Sequence, residues 1–284
     1  MNPIGANTWI WVSPPTDDRL ADLVPKIAGW GFDVVEIPVE HPGQWDPERT
    51  AALLAEHGLG ASVCAVMPDG RDLTVDDAEV VASTQDYLRT CVDVAVTVGS
   101  GVVGGPMYAP VGRTWRMSPD ERHRVLASLS AALGPVAEYA ADASVTLGVE
   151  PLNRFETSLI NTTAQGLELI ERVGSPACGL LLDTFHLNIE ERDVAAAIRA
   201  AGPHLAHLQV CANDRGAPGA DHLDWTGIAD AIADVAYDGP VCIESFTAEN
   251  ETIATAAAIW RPLADSQDAL ATDGLAFLRR TLHA

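Results

Sequence analysis

Along the chain, short β-branched or apolar runs alternate with longer stretches whose apolar positions recur every three to four residues, the pattern of repeated strand-helix units. Eight runs read as strands: residues 4–11, 34–37, 61–66, 101–104, 145–149, 179–182, 204–209 and 241–243. Helical periodicity fills the spaces between them, over 17–30, 47–57, 75–98, 119–142, 163–173, 194–201, 225–235 and 266–282. Ser118 stands as an N-cap before Pro119, and Gly58, Gly174 and Gly202 follow the ends of three helices. Eight such units in 284 residues predict an α/β fold, a (β/α)8 TIM barrel. A doubly wound open sheet, usually of about five to seven strands, leaves a unit unexplained. No Ser/Gly-rich linker or break in composition divides residues 1–284, so one domain is expected.

Composition narrows the classes. With 48% hydrophobic and 20% charged residues the chain can bury a full core and is neither disordered nor fibrous. Forty acidic against 17 basic residues give −23, which repels phosphate backbones and anionic lipid alike, so nucleic-acid and membrane roles are unfavoured. The charge is spread through the chain and otherwise reads as a solvated surface. Five widely spaced cysteines (Cys64, Cys91, Cys178, Cys211, Cys242) contain no CxxC pair and fit a reducing cytoplasm. Residues 1–11 lack the basic start and long apolar stretch of a signal peptide, and no window approaches the roughly 20 apolar residues of a membrane span. A cytoplasmic protein is expected.

One motif is a decoy. Gly99-Ser100-Gly101-Val102-Val103-Gly104 satisfies GxGxxG, yet a dinucleotide fingerprint follows a strand and opens a helix, whereas here a helix precedes and Gly105-Pro106 follows. It reads as a helix stop and a strand of small residues.

In a (β/α)8 barrel the C-terminal ends of the strands converge on one mouth, so polar residues closing apolar strands are the ones to inspect. Four consecutive units end this way, at Glu150, Asp183, Gln209 and Glu244, separated by 33, 26 and 35 residues. Taken singly, each could cap a helix or face water. Recurring at one structural position, three carboxylates and an amide oxygen make a ligand set for a hard divalent cation, Mg²⁺ or Mn²⁺, rather than zinc. The cation would also relieve the repulsion among three like charges.

Two segments carry a family resemblance: Gly148-Val149-Glu150-Pro151-Leu152-Asn153-Arg154-Phe155-Glu156, and Leu182-Asp183-Thr184-Phe185-His186-Leu187-Asn188-Ile189-Glu190-Glu191. They resemble the ketose 3-epimerases, such as D-tagatose and D-psicose 3-epimerase, of the xylose-isomerase-like barrel superfamily. The likeness runs from Gly29-Trp30-Gly31-Phe32-Asp33 through Tyr237-Asp238-Gly239 to Ile259-Trp260-Arg261. It implies Mn²⁺ or Mg²⁺ held by Glu150, Asp183, the strand-seven position and Glu244. It also implies an acid/base pair of Glu150 and Glu244, and substrate contacts from Glu156, His186 and Arg215. Such an enzyme removes a proton α to a ketone whose oxygen a cation polarises, and returns one from the opposite face. Without the resemblance, Glu156 and Arg215 would read as loop charges and His186 as a packed histidine. His207 is expected to point away from the face of Gln209 and to be structural or to stand behind the ligands.

The chain departs from that family at Gln209, where the ketose 3-epimerases place a histidine, and Cys211-Ala212-Asn213-Asp214 lacks their nearby glutamate. Hydroxypyruvate isomerases are similar in having glutamine there, which leaves such an isomerase as an alternative. Lyases and deglycosidases that eliminate a leaving group from a 3-keto sugar use the same proton abstraction. Abasic-site endonucleases of the superfamily have a histidine-richer metal cluster, and a non-catalytic sugar-binding module is the remaining reading. No Gly-rich phosphate cradle follows strands seven and eight, which favours an unphosphorylated sugar. A homo-oligomer is expected.

Overall fold

A computed structural model describes residues 1–282 and shows eight parallel strands closed in sequence order, each neighbouring the next and β8 returning to β1. The first half runs β1 (Ile4–Asn7), α1 (Asp17–Trp30), β2 (Val34–Val39), α2 (Pro47–His57), β3 (Gly60–Ala65), α3 (Ala78–Val98), β4 (Val102–Gly105) and α4 (Pro119–Asp142). The second half runs β5 (Thr146–Val149), α5 (Thr163–Val173), β6 (Cys178–Asp183), α6 (Thr184–Glu190), α7 (Val194–Ala201), β7 (Leu205–Val210), α8 (Trp225–Asp234), β8 (Val241–Ile243), α9 (Glu251–Ala256) and α10 (Gln267–Leu282). All eight expected strands are present.

The helices close as their caps dictate. Ser118 accepts from Glu121 N–H, and Glu121 answers on the backbone of Ser118, a reciprocal box at the start of α4. Gly31, Gly58, Gly99 and Gly174 end α1, α2, α3 and α5 in the left-handed conformation. Apolar stripes such as Leu20, Leu23, Val24 and Ile27 on α1, and Leu126, Leu129 and Leu133 on α4, pack inward on the strands. Burying each such side chain contributes about 1.5–3 kcal/mol. A smaller apolar cluster of Trp9, Cys64, Phe246, Ala254 and Ile259 lies at the C-terminal ends of the strands.

Several element bounds shift by one or two residues from the sequence reading, and three differences are larger. The first strand stops at Asn7 rather than running to residue 11. The Asn7 side chain accepts from Trp9 N–H and turns the apolar Thr8–Ile10 segment into a 3-10 helix. The third helix begins at Ala78, where Asp77 accepts from Glu79 and Val80 N–H, not at residue 75. Two short helices, α6 and α9, were not foreseen; α6 starts directly from Asp183, whose side chain accepts from Phe185 N–H.

The small-residue strand earns its composition. A Cβ on Gly105, at φ 138°, would stand 2.5 Å from the backbone oxygen of Ala65 on the adjacent strand β3. The preceding GxGxxG stretch is helix stop and strand, as read. All five cysteines are buried and free, and among the described residues no helix is long and apolar enough to cross a membrane.

Candidate active site

The expected residues gather at the C-terminal ends of β5 to β8. Glu150 follows β5, its N–H donating to Gly105 O at 3.0 Å and its carbonyl accepting from Tyr108 Oη at 3.0 Å. Asp183 ends β6, in register with Gln209 on β7. Glu244 follows β8, its N–H donating to Val210 O at 3.1 Å. All four side chains are buried.

Arg215 joins the acidic groups. Its Nη1 donates to Asp183 Oδ2 and, at 2.8 Å, to Glu244 Oε2. Its guanidinium lies 4.2 Å from the Phe185 ring and 5.1 Å from that of Phe246. The residue sits at φ 71°, and its carbonyl accepts from Ser245 Oγ at 2.6 Å. One buried guanidinium does not neutralise three buried carboxylates. Burial, then the charges of Glu244 and Asp183, push the Glu150 carboxyl well above the usual range, with Arg215 pulling the other way. Burial likewise raises Glu244, Asp183 and Glu36 adding to it and Arg215 opposing.

His186, on α6, reaches the same place. Its Nε2 lies 3.4 Å from Glu150 Oε1, 3.8 Å from Asp183 Oδ2 and 3.2 Å from Arg215 Nη2. Burial and the Arg215 charge hold its pKa below the ordinary histidine value. Glu156 is tied to it through Asn153, whose Nδ2 donates to Glu156 Oε1 at 2.7 Å and lies 3.0 Å from His186 Nδ1. Arg154 fixes this loop to α6 with three bonds to Glu190, two from its guanidinium at 2.9 Å and one from its backbone N–H at 2.7 Å. Glu156, His186 and Arg215 thus line one region with the four strand-end residues.

Beneath them lies a group that the sequence reading missed. Glu36 on β2 is fully buried inside the barrel, bonded to Gln209, Asn7, Ser62 and His207. Burial alone would raise its pKa, but the charge and hydrogen bond of His207 and the amides of Gln209 and Asn7 outweigh that and lower it. Here the expected orientation of His207 fails. Its Nε2 meets Glu36 Oε2 inside the barrel, on the face that carries Gln209, because residues two apart in a strand share a face.

Among the described residues, two groups of His, Cys, Asp or Glu side chains bring possible ligand atoms within 4.8 Å of one another: Glu150, Asp183 and His186, and Glu36, His207 and Cys242. The second is closed, its carboxylate taken up by hydrogen bonds and its thiol held neutral by burial. The first fits a hard cation, with one correction of emphasis. His186 Nδ1 accepts from Asn153 N–H, so a neutral imidazole carries its proton on Nε2 and faces the carboxylates as a donor. Gln209 offers the better atom: its Oε1 is buried and has no hydrogen-bond partner, the state expected of a ligand oxygen.

The model of the xylose isomerase-like TIM barrel family matches residues 24–281. The chain belongs to this family. It is 39% identical over 277 residues to a probable ketose 3-epimerase of Synechocystis sp., covering 98% of this chain and 96% of that one. To an L-ribulose 3-epimerase of Mesorhizobium japonicum it is 35% identical over 280 residues, covering 98% and 93%. A solved structure of L-ribulose 3-epimerase superposes with a TM-score of 0.93 at 34% identity, covering 100% of this chain and 95% of that one. The chain is an enzyme of the sugar isomerase and epimerase type.

Proposed function

We propose that this protein is a divalent-metal-dependent ketose 3-epimerase acting on an unphosphorylated ketose, its single barrel domain using Mn²⁺ or Mg²⁺. One observation carries the reading: Glu150, Asp183 and Glu244 crowd the strand ends with a single buried guanidinium, beside the unpartnered oxygen of Gln209. Glu150, Asp183, Gln209 and Glu244 would hold the cation. When bound, it supplies a positive charge that acidifies the proton α to the ketone.

The remaining work falls to side chains. Glu150 follows β5 and Glu244 follows β8, three strands apart around the barrel, so the two would reach one carbon from different directions, as inversion requires of a base and an acid. Burial raises the proton affinity of both carboxyls above that of an exposed carboxylate, the direction that favours their taking up a proton. Glu156, His186 and Arg215 orient the sugar hydroxyls, His186 donating from Nε2 and Arg215 from its guanidinium. The apolar patch of Trp9 and Phe246, rings 5.5 Å apart, excludes water from one side. The reading includes a homo-oligomer in the cytoplasm.

Support for the substrate class comes from the relatives' names and from the absence of a Gly-rich cradle after β7 and β8. The test is incubation of the Mn²⁺-loaded protein with free ketoses and 3-keto sugars in D₂O. Epimer formation with one deuterium at C3 is expected. Release of a leaving group would replace this reading with a lyase, and aldose–ketose interconversion with an isomerase of the hydroxypyruvate type.

A further inference from the structure

Gln209 differs from the other three candidate ligands in one respect: its two terminal atoms are not alike. A carboxylate presents oxygen whichever way it turns, whereas an amide turned over presents NH2, whose hydrogens repel a cation. Some second group must therefore set the flip.

Glu36 is placed to do so. Its Oε1 lies 2.8 Å from Gln209 Nε2 and 2.9 Å from Asn7 Nδ2, while Oε2 takes Ser62 Oγ at 3.2 Å and meets His207 Nε2. A carboxylate only accepts, so the amide must turn its NH2 toward Glu36; the reverse sets oxygen against oxygen. Asn7 cannot compete, because its Oδ1 accepts from Trp9 N–H at 2.9 Å and its own NH2 also faces Glu36. Gln209 Nε2 further lies 3.5 Å from Cys64 Sγ, so the nitrogen is engaged and Oε1 stays buried and unpartnered.

We propose that Glu36 is a positioning residue, fixing the Gln209 amide so that its oxygen faces a divalent cation shared with Glu150, Asp183 and Glu244. This rests on the metal-site reading above, and the two can fail separately. The buttress comes from β2, across the barrel from β7, so orientation is set before any cation arrives.

The test is calorimetric titration of Mn²⁺ into chelator-treated protein with Glu36 intact, Glu36→Leu or Glu36→Gln, alongside the melting temperature without metal. Removing the acceptor with leucine should weaken Mn²⁺ binding about 10- to 100-fold, the usual cost of losing a partner behind a ligand. Glu36→Gln should bind close to the unsubstituted protein, since its carbonyl still accepts from Gln209 while its NH2 faces Ser62 and His207. Equal losses in both variants would assign the effect to charge and overturn the proposal, as would a folded Glu36→Leu that binds Mn²⁺ normally. Absence of one-to-one binding in the unsubstituted protein would instead sink the metal site itself. If Glu36→Leu does not fold, the side-chain amide of Gln209 in ¹⁵N-glutamine-labelled protein decides. One slowly exchanging NH2 pair, before and after Mg²⁺, is expected; two interconverting pairs before Mg²⁺ would overturn it.

Discussion

His186 receives the backbone N–H of Asn153 on Nδ1 at 3.1 Å, and this one bond decides what the other ring nitrogen can do. With Nδ1 accepting, Nε2 is a donor beside Glu150 rather than a lone pair for a cation. His186→Ala should therefore lower kcat/KM about 10- to 100-fold, the worth of a hydrogen bond to a charged group, with Mn²⁺ affinity nearly unchanged. Steady-state kinetics beside a metal titration check this. A matching loss of metal would make His186 a ligand.

Glu150→Gln and Glu244→Gln should separate holding a cation from moving a proton. An amide oxygen still coordinates but exchanges no proton, so turnover should fall about 10²- to 10⁴-fold while the metal is largely kept. Deuterium exchange into the ketose and metal content per chain are the two readouts. Parallel loss of both would reduce these glutamates to ligands.

Gly105→Ala should damage fold and site together. The substitution sets a Cβ 2.5 Å from Ala65 O at positive φ, a clash with backbone that costs about 2–4 kcal/mol. The Gly105 carbonyl also holds the N–H of Glu150, so metal affinity should drop with the melting temperature. Retention of Mn²⁺ affinity in a destabilised variant would show that Glu150 is anchored by other bonds.

Metal affinity should rise with pH. Glu150 and Glu244 retain protons above the ordinary value of 4.5, and a cation must displace them. For the metal-free fold the same shift has a fixed sign: its stabilising contribution is complete below 4.5 and is lost as pH rises through the raised native values. His186 acts oppositely, its contribution present above 6.5 and lost as pH falls through its lowered value. Titration in buffers of different ionisation heat should record proton release on Mn²⁺ binding, and an affinity flat with pH would contradict the raised carboxyls.

Gln209→His should alter metal preference toward softer ions and re-rank the sugars accepted, because a ring nitrogen replaces a hard oxygen. Unchanged preferences on both counts would make the glutamine a neutral replacement.

What could be read from the chain followed from repetition. Glu150, Asp183, Gln209 and Glu244 each close an apolar run, and a closed barrel turns that recurrence into proximity. Glu36 left a weaker trace: a lone charge inside Val34-Val35-Glu36-Ile37, a strand that is otherwise apolar and buried. Its partners, Asn7, Ser62, His207 and Gln209, come from β1, β3 and β7, and no spacing along the chain announces a contact across a barrel. His207 was misplaced for a different reason, since the period of two puts it on the face of Gln209. The end of β1 was hidden because Trp9 and Ile10 are as apolar as a strand, and only the Asn7 side chain reveals the turn.

The hydrogen bond from Gln209 to Glu36 ties the two halves of the barrel together chemically. Candidate ligands are supplied by β5 to β8, while Asn7, Glu36 and Ser62 of β1, β2 and β3 form a polar floor under them. A protein built this way cannot trade that floor for ordinary aliphatic filling, however well it packs, without loosening the groups above. Inheritance of the first three strands is thereby coupled to inheritance of the last four, although no residue of the former need ever touch a sugar.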